Sequence, residues 1–141
     1  MAYREKLAWL TLLAMALTFG PYFVWIGINP PEPGLPNLRA MATYAVVGTS
    51  YAVLTGLIRL GLRLHAPADA KARPDERDVA IEGRATKAGY YLLMAGMIAV
   101  GGFMPFTHTG WDIVNAAIGA IVAAEILSTL VTVIGYRRTA A

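Results

Sequence analysis

The chemistry open to this chain is set by nine carboxylates, two histidines and a scatter of hydroxyl side chains, with no cysteine among 141 residues. Without a thiol, disulfide formation, thiolate catalysis and cysteine-ligated zinc or iron–sulfur centres are excluded. His65 and His108 fall at opposite ends of the hydrophobic segments between them, about 30 Å apart across a bilayer core, so one haem cannot take both as axial ligands. Apart from His108 between Thr107 and Thr109, no serine or threonine has a nearby histidine on its own side of the membrane, and no nucleophile–base pair forms. There is no glycine-rich phosphate loop, no EF-hand spacing and no aromatic–basic surface for nucleic acid. No catalytic, cofactor-binding or metal-ligating residue is therefore assigned, and the chain is expected not to be an enzyme.

Two groups of carboxylates remain. Glu125 is the only acidic residue deep in a hydrophobic run. A charge at that depth costs on the order of 3 kcal/mol, so such residues are expected to face the bundle interior and to serve a function. Helical spacing sets Val122, Ser128, Thr129 and Thr132 near it as a partly polar stripe, and Ala116, Ala120, Ala124 and Ser128 form a row of small residues beside it. Three readings of Glu125 stay open. It hydrogen-bonds, protonated, to Tyr44, Thr49, Tyr51 or Thr55 of another helix; it binds a cation or exchanges a proton in transport; or it pairs across an oligomer or partner interface.

The second group lies in the one long charged stretch, Lys71–Lys87. Pro74 followed by Asp75, Glu76, Arg77 and Asp78 is a helix-start signal, because carboxylates suit the unpaired amides and positive dipole end of a first turn. Asp75 is expected as the cap, with Asp78 completing a short capping box. At about 100° per residue, Asp75, Asp78 and Glu82 fall on one side of that helix, and Arg77, Arg84 and Lys87 broadly on the other. Two readings fit: Arg84 and Lys87 against lipid phosphates with the carboxylates in water or paired with Arg59 and Arg63, or a docking surface for a cytosolic partner.

The elements that must position these residues follow from hydropathy. Hydrophobic residues make up 57% of the chain and charged residues only 15%, against roughly a quarter charged in soluble domains. Four runs are long enough to cross a bilayer, which takes about 20 helical residues. They lie at about 7–28, 40–58, 88–106 and 113–136, with a linker at about 59–87, in a single integral membrane domain over 1–141. Ala14-Met15-Ala16 resembles a signal-peptidase site, yet the apolar run continues past it, so an uncleaved signal anchor is expected. Pro21 falls inside the first span as a packing kink or hinge. Four prolines stiffen the loop Asn29–Pro36. Gly48, Ala52 and Gly56 form a small-residue row on the second span, suited to close helix approach.

With the N-terminus inside, eleven of twelve Lys and Arg lie on one side, Arg39 being the exception. By the positive-inside rule both termini are then cytoplasmic. The expected architecture is all-α, a four-helix transmembrane bundle of two hairpins.

The P-D-E-R-D…I-E…R-A…Tyr-Tyr pattern at Pro74 to Tyr91, set between two membrane hairpins, resembles a group of small bacterial four-helix inner-membrane proteins. Asp75, Glu76, Arg77, Asp78, Glu82 and Arg84 match that pattern, and the resemblance carries no established residue roles. It implies a partner of cytosolic regulators in the bacterial inner membrane. The small multidrug-resistance family also combines four short spans with one membrane carboxylate, but there the carboxylate lies in the first span, and Leu7–Ile28 contains none. The functional expectation is a non-enzymatic sensor or accessory subunit that docks a protein partner through its charged linker, with membrane lipids and further copies of itself as other partners. The alternative is a small oligomeric transporter or channel using Glu125, with Ser128 and Thr129 as its intramembrane polar neighbours.

Overall fold

A computed structural model of the chain describes residues 3–32, 37–108 and 110–138. Five α-helices and a short 3₁₀ turn account for most of them: α1 Tyr3–Ile28, α2 Leu38–His65, α3 Pro67–Lys71, α4 Glu76–Gly102, the turn Met104–Phe106, and α5 Trp111–Arg138. The fold is an all-α bundle, and α1, α2, α4 and α5 are each long and apolar enough to cross a membrane. The chain is a membrane protein by that length and composition. The proline loop is described only to Glu32; Pro33–Pro36, like Thr109 of the turn before α5, lie outside the described residues.

Helix ends follow local chemistry more closely than they follow hydropathy. Asn37 starts α2 by accepting a hydrogen bond from the Ala40 amide at 3.0 Å. The helix then runs through Arg59 and Arg63 to His65, seven residues beyond the apolar run, because leucine and arginine are good helix formers in or out of lipid. It stops where Pro67 disfavours helical geometry at the preceding residue, and Ala66 sits at φ −136°, ψ 68°. At the start of α4 the capping box is complete: the Asp78 amide donates to Asp75 Oδ1 at 2.6 Å, and the Asp75 amide to Asp78 Oδ2 at 3.3 Å. The charged segment therefore enters α4 as continuous helix. Gly110, with φ +55°, makes the left-handed step that turns the chain into α5.

The four long helices line up in the order α2, α1, α5, α4, with only marginal contact of α2 with α4 or α5. Helix α5 sits centrally and carries buried positions at Ile118, Val122, Ala124, Thr129, Val133 and Tyr136. Tyr22 of α1 packs on Ile118 and Val122, with Phe19, Phe23, Val47 and Ile126 around them. No residue of α2 is buried. The accessible surface is 9475 Å², against about 7,100 Å² for a compact soluble protein of this mass. The arrangement is therefore open, and a broad apolar surface including Leu13, Leu17, Val46, Val53 and Leu57 is exposed.

The two small-residue rows fare differently. On α5, Ala120, Ala124 and Ser128 meet Gly89 and Gly96 of α4 so closely that an added Cβ at Gly96 would lie 2.7 Å from the Ala120 Cβ. On α2, an added Cβ at Gly48 or Gly56 would meet nothing within 4 Å.

Candidate functional site

The end of the bundle where α1 begins and α5 finishes gathers charged side chains from three helices. Asp78 is its centre. Besides its place in the capping box, its Oδ1 accepts a 2.6 Å hydrogen bond from the Tyr136 hydroxyl and its Oδ2 lies 3.3 Å from Arg4 Nε. Arg4 Nη1 also reaches Glu82 Oε2 at 4.0 Å. In the last turn of α5, the Tyr136 carbonyl accepts from Arg77 Nη2 at 3.1 Å, and the Arg77 guanidinium lies 5.8 Å from the Tyr136 ring centre. A cation there meets the negative end of the helix dipole.

A second pair closes the same end. Arg137 Nε lies 3.8 Å from Glu5 Oε1, and its guanidinium stacks 5.1 Å from the Trp9 ring. Glu5 is a buried carboxylate, where an ion pair offsets desolvation that an isolated charge could not tolerate. The result is a clasp tying α1, α4 and α5 together, from which α2 is absent.

The six sequence-predicted linker residues thus divide. Arg77, Asp78 and Glu82 engage α1 or α5, and Asp75 caps its own helix. Glu76 and Arg84 are exposed, with no ion pair among the described residues. The expected split of charge along α4 does not decide the pairing: Arg77 and Asp78, adjacent in sequence, both contact Tyr136. Sequence reasoning missed Arg4, Glu5, Trp9, Tyr136 and Arg137. Their signal was the placement of both chain ends on the same side as the linker, which brings two basic termini to a group of carboxylates.

The polar stripe around Glu125 does not converge. The Thr129 hydroxyl donates to the Glu125 carbonyl at 2.8 Å, and Thr132 to the Ser128 carbonyl at 3.1 Å, so both are committed to their own helix. Ser128 faces Gly89 of α4. The Glu125 side chain is exposed, with no hydrogen bond or ion pair among the described residues. Further along the α1–α5 seam, the Tyr22 hydroxyl donates to Asn115 Oδ1 at 2.7 Å. Among the described residues, no three His, Cys, Asp or Glu side chains gather as a metal site would require.

What this arrangement can do chemically is position and bind. It fixes the start of α4, leaves Glu76 and Arg84 facing outward, and presents one carboxylate midway along α5. No family model, curated protein or solved structure matches this chain.

Proposed function

We propose that the chain is a non-enzymatic multi-pass protein of the bacterial inner membrane, a sensor or accessory subunit, with both termini cytoplasmic and a partner docked on its charged inner segment. The observation that carries this reading is the division within that segment. Arg77, Asp78 and Glu82 lock the first turns of α4 to α1 and α5, while Glu76 and Arg84 project from the platform so formed. A rigid support lowers the ordering cost of binding, which favours recognition by the projecting charges. Reversing Arg77, Asp78 and Glu82 would break the clasp as well as any docking surface, so the discriminating variant is Glu76→Lys with Arg84→Glu. Purification of the tagged chain from its native membrane should yield a stoichiometric cytosolic partner, lost in this double variant while the thermal stability of the chain is kept. Retention of the partner, or a wild-type chain that brings none, would sink the proposal.

A second reading rests on Glu125, exposed and unpaired at the midpoint of α5. An oligomer could line a cation or proton path with this carboxylate. Proton-driven flux in liposomes should then disappear in Glu125→Gln, and flux unchanged by that substitution would eliminate the role.

A further inference from the structure

Three polar side chains stand exposed at one depth of this molecule. Glu125 occupies the midpoint of α5, and Thr49 and Ser50 lie within one helical turn of the midpoint of α2. Facing hydrocarbon, a carboxylate or an unpaired hydroxyl is costly. The other threonines of α1, α2 and α5 avoid that cost by donating to the carbonyl one turn back: Thr11, Thr18, Thr43, Thr55, Thr129 and Thr132 all do so. No such bond engages Thr49 or Ser50 among the described residues. Their donors are free, and so are the acceptors of Glu125.

Thr49 and Ser50 lie in a shallow groove of about 560 Å³ on α2, between Ala45, Val46, Val53 and Leu57. It opens on the side of α2 turned away from α1, since Tyr51 and Tyr44 make the contacts with Phe19 and Tyr22. Ala120, Ala124 and Ser128 of α5 face α4, Ile118 and Val122 pack with α1, and the exposed Glu125 belongs to neither seam. Tyr51 does not donate to it, so nothing within the described chain satisfies the carboxylate.

The occupant that fits is a second copy. A two-fold axis along the membrane normal leaves every residue at its own depth, so it brings the free hydroxyls of one copy level with the carboxylate of the other, twice over. Lipid tails offer neither donor nor acceptor. The lining of the groove, small at Ala45 and Ser50, allows the close approach on which helix association in membranes depends.

We propose that the chain forms a two-fold homodimer in the membrane, with Glu125 of each copy accepting hydrogen bonds from Thr49 and Ser50 of the other. This inference stands apart from the docking of a cytosolic partner, and either can fail without the other.

Because the chain has no cysteine, crosslinking can be read without background. Copies carrying Val46→Cys, co-expressed with copies carrying Ile121→Cys, should give a covalent dimer in native membranes; each position lies one turn toward the same membrane face from its polar neighbour. Leu17→Cys with Ile121→Cys should give none. Single-molecule photobleaching in liposomes provides the second measurement. The wild-type chain should pass from dimer to monomer as lipid is added, Glu125→Gln should follow it, and Glu125→Leu should need about tenfold higher protein density, the weight expected of interhelical hydrogen bonds made twice. A chain that stays monomeric across the dilution range, midpoints identical for wild type and Glu125→Leu, or equal crosslinking from Leu17→Cys would overturn the proposal. A crosslink from Val46→Cys to a different protein, with monomers alone in liposomes, would overturn it too.

Discussion

The two hairpins of this molecule carry similar sequence signals and pack in different ways. In α4–α5, glycine meets alanine and serine at near backbone contact: a Cβ on Gly96 would lie 2.7 Å from that of Ala120, and one on Gly89 3.0 Å from that of Ser128. In α1–α2, the contact is made through rings, Phe19 against Tyr51 at 5.5 Å and Tyr22 against Tyr44 at 6.5 Å between centres. The small-residue row of α2 looks elsewhere. A row of small residues permits close approach but does not produce it; the partner must present a matching hollow. Helix α4 offers Gly89 and Gly96 to the alanines of α5, whereas α1 offers bulky aromatics, which hold α2 at a distance. One hairpin is a closed seam and the other an open edge.

The sharpest way to break this comparison is to fill the closed seam. Gly96→Leu must displace the Ala120 side chain or separate α4 from α5, and overpacking of this kind costs about 3 kcal/mol. Thermal unfolding of the detergent-solubilised chain should shift down by several degrees, and limited proteolysis should cut between α4 and α5. An unaltered transition would mean that the seam is looser than its geometry implies.

The clasp is the next largest effect, because it ties α1 to the closed seam of α4 and α5 and leaves α2 out. Asp78→Ala removes the acceptor of the Asp75 amide, the acceptor of the Tyr136 hydroxyl and the partner of Arg4 in one step, while Asp75 still caps the helix. Loss of hydrogen bonds to a charged group costs about 2 kcal/mol. Glu82→Gln, by contrast, removes only the exposed 4.0 Å pair with Arg4 and should stay within about 0.5 kcal/mol. Chemical denaturation of the two variants side by side checks the ratio. Equal effects would show that the clasp acts through net charge and not through the geometry at Asp78.

These contrasts mark what the sequence could and could not reveal. The four long helices and the capping box of Asp75 and Asp78 were legible because each rests on residues close in sequence: an apolar run, or a carboxylate three positions from its cap. So was the close-packing row of α5. The partner of Asp78 was not, since Tyr136 lies 58 positions away and Arg4 comes from the opposite end of the chain. Helical periodicity assigns a residue to a face but does not say which helix that face will meet. For the same reason Glu125 could be placed at bilayer depth, while its exposure depended on how the neighbouring helices pack around α5. Hydropathy also ended the second span at Ile58, marking where the apolar run stops, although the helix continues to His65.

The smallest expected effect is also the one that separates the two hairpins most cleanly. Gly56 is exposed on α2, and an added Cβ there meets nothing within 4 Å. Gly56→Leu therefore creates no clash within one copy, and replacing an exposed helical glycine by a good helix former gains roughly 0.5–1 kcal/mol. In monomeric detergent-solubilised protein, the unfolding transition should be unchanged or slightly raised, opposite in sign to that of Gly96→Leu although the chemical change is identical. A fall comparable to that of Gly96→Leu would place Gly56 in a packed contact and make α2 a sealed member of the bundle. The opposite signs would establish that the same glycine-to-leucine change reads a closed seam on one hairpin and an open edge on the other.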